Sequence, residues 1–154
     1  MAGIGSELLF TLDLTVAATA LMDFGQTPVG HRRVGAVEGG RFQGPRLQGT
    51  VMPGGSDWLI TRPDGVTRLD VRLALKTDDD AYISMTYFGL RHGPAEELAK
   101  MLRGEPIDSS RLYFRTAPFF ETGAAKYAWL NSVIAIGIGD RKPAGPHYDV
   151  YQVL

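Results

Sequence analysis

The sequence predicts an all-β protein, a closed antiparallel β-barrel of about eight strands with one short helix. Apolar and polar residues alternate with a period of two through most of the 154 residues. The 19 glycines and 9 prolines indicate many tight turns. Consecutive strands with short connections favour a meandering barrel over a sandwich. A barrel of about eight strands is wide enough to hold one small ligand.

The first strand is predicted over residues 8–16, where Leu8, Phe10, Leu12 and Leu14 occupy alternate positions. Further strands are predicted over residues 32–38, 41–52, 57–61, 66–76, 81–89, 111–116, 127–138 and 147–153. Glycine- and proline-rich turns are expected at residues 27–30, 39–40, 53–55 and 62–65, and a further turn at residues 77–80. We expect Pro118 to reset the register just before Glu121.

One helix is predicted over residues 94–103. Pro94 and two glutamates stand in its first turn, where proline and negative charge are favourable. Leu98, Met101 and Leu102 share one face at helical spacing. Gly104 is placed to end the helix.

Composition excludes several classes of protein. A length of 154 residues suits a single barrel domain over residues 1–154. The absence of cysteine excludes disulfides, zinc–thiolate sites and a cysteine nucleophile, and it fits a cytoplasmic location. A net charge of −1 without a basic run argues against a nucleic-acid partner. Glu7 and Asp13 interrupt the apolar N-terminal stretch, so neither a signal peptide nor a membrane partner is expected.

The direction in which the polar strand faces point is left open by the pattern alone. Arg68, Asp70 and Arg72 alternate with aliphatic residues, and such a face usually meets water. In contrast, a strand over residues 127–138 would place Tyr127, Trp129 and Asn131 together, as in the wall of a ligand cavity. If polar faces point inward, aliphatic rows such as Leu130, Ile134 and Ile136 must be covered from outside. That arrangement predicts a homodimer or a larger homo-oligomer.

The turn Pro53-Gly54-Gly55 is expected at one end of the barrel, because glycine permits the positive φ values of tight turns. It would bring Asp57 and Trp58 to the rim. The alternative is that Asp57 caps the turn and Trp58 fills the barrel.

Motifs for cofactors and metals are not found. Gly137-Ile138-Gly139 lacks the third glycine of a dinucleotide fingerprint and the helix that should follow it. Phosphate loops and nucleophile elbows are likewise missing from the sequence. The three histidines fall in separate predicted loops, and residues 78–80 read as a solvated acidic turn. We therefore expect neither a cofactor nor a metal.

The sequence resembles the DUF3237 family, also called the UPF0311 proteins. The matching stretches are residues 40–47 (GRFQGPRL), 53–58 (PGGSDW), 69–72 (LDVR), 89–91 (GLR), 113–118 (YFRTAP) and 127–131 (YAWLN). The resemblance implies a self-associating barrel of the calycin or allene-oxide-cyclase-like kind. Similar barrels include cofactor-free isomerases, cyclases and lyases, and also passive ligand carriers. One departure is an acid in Thr77-Asp78-Asp79-Asp80, where the family's turn is expected to have glycine.

The residues shared with the family's motifs lead to a site hypothesis in which one cavity gathers eight side chains. The expected catalytic residues are Asp57, Glu121, Tyr127 and Arg115; the expected substrate-binding residues are Trp58, Arg72, Trp129 and Asn131. A carboxylate in an apolar barrel has a raised pKa and can move a proton near neutral pH. Asp57 is the first candidate for the base, because a rim position gives it access to substrate.

This hypothesis predicts a cofactor-independent isomerase, cyclase or lyase that acts by acid–base chemistry on a small carbonyl or aromatic compound. The alternative is a barrel that binds a small organic ligand without chemistry. A third reading is a structural subunit of a larger complex, in which case the barrel would be filled.

Overall fold

A computed structural model describes residues 2–154. Within that range the chain forms eleven strands, one α-helix and three short 3₁₀ segments. The strands are β1 Ser6–Thr15, β2 Met22–Thr27, β3 Gly30–Val37, β4 Gly39–Gln43, β5 Gln48–Val51, β6 Gly55–Thr61, β7 Thr67–Thr77, β8 Tyr82–His92, β9 Tyr113–Glu121, β10 Ala135–Lys142 and β11 Gly145–Val153. The helix α1 is Ala95–Leu102, and the 3₁₀ segments are Ala18–Ala20, Ser109–Arg111 and Ala125–Ser132.

The strands close into an antiparallel barrel, which confirms the predicted fold class. Two positions in the barrel wall are each occupied by two consecutive strands. β3 and β4 share one position, and β5 and β6 share the next, because β3 pairs with β6 and β4 pairs with β5. The described chain therefore has eight wall positions, in the order β1, β3/β4, β5/β6, β7, β8, β9, β10 and β11. β11 pairs with β1 to complete the ring, and β2 extends the sheet beyond β3.

Pro53 and Gly54 form the expected turn, with a φ of 109° at Gly54, but the reversal of chain direction predicted there is wrong. The uninterrupted strand predicted over residues 41–52 is also wrong. β5 and β6 both run antiparallel to β7, so the chain keeps its direction through Pro53 and Gly54. The reversal instead lies at residues 44–47, where the Gly44 amide donates to the Leu47 carbonyl at 2.9 Å. A Cβ at Gly44 would lie 1.8 Å from the Leu9 carbonyl oxygen, so only glycine allows this close approach of two backbones.

The strand predicted over residues 127–138 is also wrong in its first half. Residues 125–132 form a 3₁₀ segment, and β10 begins only at Ala135. Tyr127 and Leu130 are buried, and their three-residue spacing is the period of a 3₁₀ turn. The expectation that Tyr127, Trp129 and Asn131 share one face is therefore wrong, because it assumed the two-residue period of a strand.

Other expectations have mixed outcomes. The helix is confirmed, with residues 95–102 observed against 94–103 expected. β9 continues through Pro118 with unbroken alternation, so the expected register reset is wrong. β8 continues to His92 rather than ending at Gly89.

The aliphatic strand faces point into the barrel. Leu69, Leu73 and Leu75 are almost fully buried, while Arg68 and Arg72 on the alternate face are exposed. The interpretation in which polar faces line the interior is therefore corrected for these strands. The reason is energetic, since burying an aliphatic side chain stabilises by about 1.5–3 kcal/mol, whereas burying an unpaired charge is unfavourable.

In residues 2–154, no helix has both the length and the apolar character needed to cross a membrane.

Candidate functional site

A cavity occupies one end of the barrel, and it adjoins the buried apolar core. Apolar side chains from β1, β3, β6, β7 and β9 form most of its wall: Leu14, Val37, Leu59, Leu69 and Phe114. The space between atoms amounts to about 580 Å³, including the part open to solvent. The centres of water-sized spheres can occupy only about 40 Å³ of it, which is room for a few waters. An organic ligand therefore requires the side chains that cover the cavity to move outward.

Five polar side chains project into this apolar space. They are Arg33 on β3, Asp57 on β6, Arg91 on β8, Arg141 on β10 and Tyr148 on β11. A mostly apolar pocket with a few convergent polar groups is the usual form of a small-molecule site. The strand alternation that buries the core also points these residues inward.

Asp57 is the carboxyl group of the cavity. Its Oδ1 atom is shielded from solvent and has no hydrogen-bond partner. Burial raises the pKa of this carboxyl to about 7, although the positive charge of Arg91 opposes the rise. A carboxyl group with a pKa near neutrality can both accept and deliver a proton at physiological pH.

Two tyrosines lie close together behind the carboxyl group. The rings of Tyr87 and Tyr148 are 5.3 Å apart in an edge-to-face arrangement. Both hydroxyls are buried, and neither has a partner in good hydrogen-bond geometry, although the two hydroxyls lie near enough to influence each other's pKa. Burial raises the pKa of each phenol above its usual range, so both remain protonated and can donate a hydrogen bond.

The three arginines are held by neutral neighbours. Arg33 Nη2 donates to Thr61 Oγ1 at 3.0 Å, and Arg141 Nη2 donates to the Val16 carbonyl at 2.8 Å. The guanidinium carbon of Arg91 lies 5.4 Å from the ring centroid of Phe114. The Nε atoms of Arg33 and Arg91 are buried without an acceptor, so both arginines keep a free donor.

The mouth of the cavity is covered by two short segments. Ala18 and Leu21 come from the connection between β1 and β2, and Met101 and Leu102 come from α1. Gly35 lies beneath them on β3, where a Cβ would meet Val16 and Leu21 at 2.9–3.0 Å. Glycine at position 35 therefore leaves the space in which the covering segment rests.

Four predicted site residues lie on the outside of the barrel. Trp58 is 46% exposed and stacks on Phe24, with ring centroids 6.0 Å apart. Arg72 lies beside Trp58 on the outer surface, and Glu121 is exposed at the end of β9. Arg115 points outward over Tyr113, at 5.2 Å from its ring. They miss the cavity because each occupies the strand position that alternates with the buried one.

Three others lie away from this cavity, around the 3₁₀ segment 125–132. The Tyr127 hydroxyl donates to Asp79 at 2.7 Å. Trp129 stacks against the Arg46 guanidinium at 3.6 Å. Asn131 accepts from the Thr122 amide at 2.8 Å and donates to the Thr122 carbonyl at 2.9 Å. These contacts hold the 3₁₀ segment against neighbouring turns, so of the eight predicted site residues only Asp57 lines the cavity.

The sequence pattern gives no site role to Arg33, Arg91, Arg141 or Tyr148. A signal for Arg91 was present, since Tyr87, Gly89 and Arg91 continue one period-two row on β8, and Gly89-Leu90-Arg91 was among the matching stretches. Ending the predicted strand at Gly89 concealed it. Arg141 lies six residues after Ala135 on the inward face of β10, but a single arginine near a strand end gives no signal by itself.

Across residues 2–154, no three His, Asp or Glu side chains are arranged to hold a metal ion. The chemistry available from the cavity residues is proton transfer by Asp57, hydrogen-bond donation by the tyrosines and charge stabilisation by the arginines.

Comparison with known proteins places the chain in a family. The family described as "Protein of unknown function (DUF3237)" matches residues 5–153. A UPF0311 protein of Rhodopseudomonas palustris is 36% identical over 148 residues, which cover 96% of this chain and 97% of that protein. A crystal structure of a conserved protein of unknown function from the same species covers 100% of both chains at 35% identity, with a TM-score of 0.95.

A more distant relative carries a named activity. A hydroalkoxylation enzyme of Penicillium herquei is 28% identical over 131 residues, which cover 85% of this chain and 71% of that protein. A crystal structure of an enzyme from the same fungus is 24% identical, covers 100% of this chain and 97% of the other, and has a TM-score of 0.74. The second comparison supports the barrel fold alone. From the family match over residues 5–153 and the close bacterial relatives, we conclude that this chain belongs to the DUF3237 family.

Proposed function

We propose that the protein is a cofactor-independent acid–base catalyst that closes a ring in a small organic substrate by adding a hydroxyl group of the substrate across a carbon–carbon double bond, or opens such a ring by the reverse elimination. The observation that carries the proposal is the Asp57 carboxyl. It has a pKa raised to about 7 and an unpartnered oxygen in an apolar cavity. The distant relationship to a fungal hydroalkoxylation enzyme supports the same chemistry.

The proposed reaction needs only proton movement. As the substrate hydroxyl oxygen forms a bond to one alkene carbon, its proton passes to the Asp57 carboxylate. The π bond breaks, and the other alkene carbon receives a proton. If Asp57 gains the hydroxyl proton and then delivers it to that carbon, its carboxylate is regenerated at the end of the cycle. The product is an isomer of the substrate, so the reaction consumes neither an oxidant nor a reductant.

The tyrosines and arginines supply the electrostatic part of this mechanism. When the alkene is conjugated to a carbonyl, addition of oxygen places negative charge on the carbonyl oxygen. The Tyr148 hydroxyl and the Arg91 Nε are buried donors without acceptors, so they are available to that oxygen. Donors already oriented in a water-poor cavity stabilise developing charge without reorganisation.

The experiment uses phenols that carry an unsaturated ketone side chain ortho to the hydroxyl, with ring closure followed by liquid chromatography and mass spectrometry. We expect wild-type protein to accelerate closure. Asp57→Asn should lower the rate by about 10²–10⁴-fold, the range for a lost general acid–base group. Glu121→Gln is the matched control, since it removes an exposed carboxylate outside the cavity, and its rate should match wild type.

A binding barrel without chemistry predicts a different result, in which the phenols bind while closure proceeds at the uncatalysed rate in both proteins. Equal acceleration by wild type and Asp57→Asn would reject Asp57 as the proton-transfer group.

A further inference from the structure

The cavity holds more positive than negative charge. Among the described residues, three guanidinium groups line it, from Arg33, Arg91 and Arg141, against the single carboxyl group of Asp57. None of the three arginines has a carboxylate oxygen within 4.0 Å in residues 2–154. Because Asp57 itself titrates near neutrality, the excess of positive charge is two or three.

Such an excess is unfavourable in an empty cavity. Arg33 is only 9% exposed, and burial lowers the pKa of Arg91 and of Arg141, which reflects the poor solvation of both cations. Buried cations are normally paired with an anion. The backbone and hydroxyl acceptors of Arg33 and Arg141 are neutral, so they do not offset the charge.

The free donors are placed to receive an anion. Arg33 Nε, Arg91 Nε and the Tyr148 hydroxyl are all buried without partners in the same cavity. Hydrogen bonds from guanidinium groups to anionic oxygens are about twice as strong as neutral ones. The remaining wall is apolar, with Leu59, Leu69 and Phe114 available to pack on a hydrocarbon body.

We propose that the cavity binds a small organic anion, with its charged oxygen held by Arg33 and Arg91 and its hydrocarbon part against the apolar wall. The inference rests on the proposed function in placing substrate in this cavity, but it does not depend on proton transfer by Asp57. A carboxylate and an ionised phenol or enol share the required chemistry, since each presents an anionic oxygen on a flat apolar body.

The first experiment measures ligand binding to the wild-type protein by isothermal titration calorimetry at pH 8. The probes are cinnamate as the carboxylate, 4-nitrophenolate as the ionised phenol, and cinnamamide as the neutral counterpart of cinnamate. At least one anion should bind about tenfold or more tightly than cinnamamide. Tighter binding of cinnamate would indicate a carboxylate ligand, and tighter binding of 4-nitrophenolate would indicate an ionised phenol or enol. The same anion should raise the melting temperature of the protein, whereas cinnamamide should have little effect.

The second experiment tests the residues. Arg33→Met and Arg91→Met should each weaken binding of the preferred anion by about tenfold or more, since methionine keeps apolar bulk but loses the charged donor. Arg41→Met is the matched control, because Arg41 lies on the outer surface, where it pairs with Asp78, and it should leave the affinity unchanged. Asp57→Asn should bind the anion as tightly as wild type or more tightly, because it removes the one negative charge in the cavity.

Equal affinity for cinnamate, 4-nitrophenolate and cinnamamide would overturn the proposal, and that measurement needs no variant. Loss of affinity in Arg41→Met to the same extent as in Arg91→Met would also overturn it. Tight anion binding without ring closure would refute the proposed function and leave this inference standing. Ring closure without any preference for anions would refute the inference alone.

Discussion

Asp57 is a partly buried acid that lines a cavity. Its Oδ1 atom is buried without a partner, yet the residue stands at the solvent-facing end of the barrel beside a cavity. A buried carboxyl group without partners destabilises the folded state whenever it is ionised. Asp57 should therefore lower stability at neutral pH, as is common for residues placed for chemistry rather than for folding.

The sign of this effect gives the prediction at the scale of single residues. The pKa of Asp57 is about 7 in the folded protein and near 3.8 when unfolded, so the folded state binds more protons between these values. Its contribution to the free energy of unfolding falls as pH rises through this window and stays low above pH 7. Asp57→Asn should therefore gain melting temperature relative to wild type between pH 5 and pH 8, by at least about 2 °C.

Differential scanning fluorimetry across this pH range measures the gain, and Glu121→Gln serves as the exposed-carboxylate control. A constant difference between Asp57→Asn and wild type from pH 5 to pH 8 would contradict the raised pKa, because an amide has the same packing cost at every pH.

At the scale of elements, the 3₁₀ segment 125–132 shows how motif residues can serve structure. Asn131 makes two hydrogen bonds to the backbone of Thr122, and Arg46 stacks on Trp129. Tyr127 is bonded to Asp79, which also binds Lys126 at 2.6 Å. Together these contacts fasten the chain between β9 and β10 to the turns that precede β5 and β8.

Replacement of Asn131 separates this structural role from a role in the site. Asn131→Ala removes both hydrogen bonds to Thr122, each contributing about 0.5–1.5 kcal/mol, so the melting temperature should fall by about 2–8 °C. Anion affinity in the cavity should stay within about twofold of wild type, because Asn131 does not line it. Thermal melting and calorimetry of the same preparation measure both quantities. A tenfold loss of affinity in a variant that still folds would show that Asn131 contributes to ligand binding.

At the scale of the whole molecule, an apolar face covers the outside of β8, β9 and β10. Its exposed large side chains are Phe88, Leu90, Tyr113, Phe119, Ile134, Ile136 and Ile138. Leu130, which the sequence analysis placed in this outward row, is buried and does not belong to it. Large exposed apolar faces of this kind usually mark interfaces.

The charges at the edges of this face favour a second copy of the chain as its partner. One row crosses five strands in register, from Arg68 through Leu90, Arg115 and Ile138 to Asp149. The row is cationic at one end and anionic at the other. A two-fold axis through its middle would set Arg68 of each copy near Asp149 of the other and Leu90 of each copy near Ile138 of the other. The two Arg115 side chains would lie beside the axis, each over the Tyr113 ring of its own chain.

We therefore predict a homodimer formed through this face. Light scattering after size-exclusion chromatography should give twice the chain mass at micromolar concentration. Combined replacement of Phe88 and Ile136 by lysine should yield a monomer, because it places two charges in an apolar interface. Val29→Lys, on the turn between β2 and β3, is the control and should remain dimeric. A monomer mass for the wild-type protein would refute the prediction.

The sequence by itself determined the fold class, the helix and much of the strand alternation. These features depend on local periodicity, and the row Leu69, Val71, Leu73 and Leu75 shows why, since one face of the strand must be buried whatever its neighbours are. The family resemblance also followed from short stretches of sequence. Asp57 was identified because the expected turn at residues 53–55 would bring it to the rim of the barrel and because it lies in a stretch shared with the family.

Only the tertiary structure decided which residues share a cavity. Arg33, Asp57, Arg91, Arg141 and Tyr148 come from five different strands, and the pairing of those strands brings them to one end of the barrel. Reversal at residues 44–47 rather than 53–55 is set by the close approach of Gly44 to Leu9, a contact between segments 35 positions apart in the chain. Periodicity describes the two faces of a strand, but the choice between cavity and filled core depends on the strands that surround it.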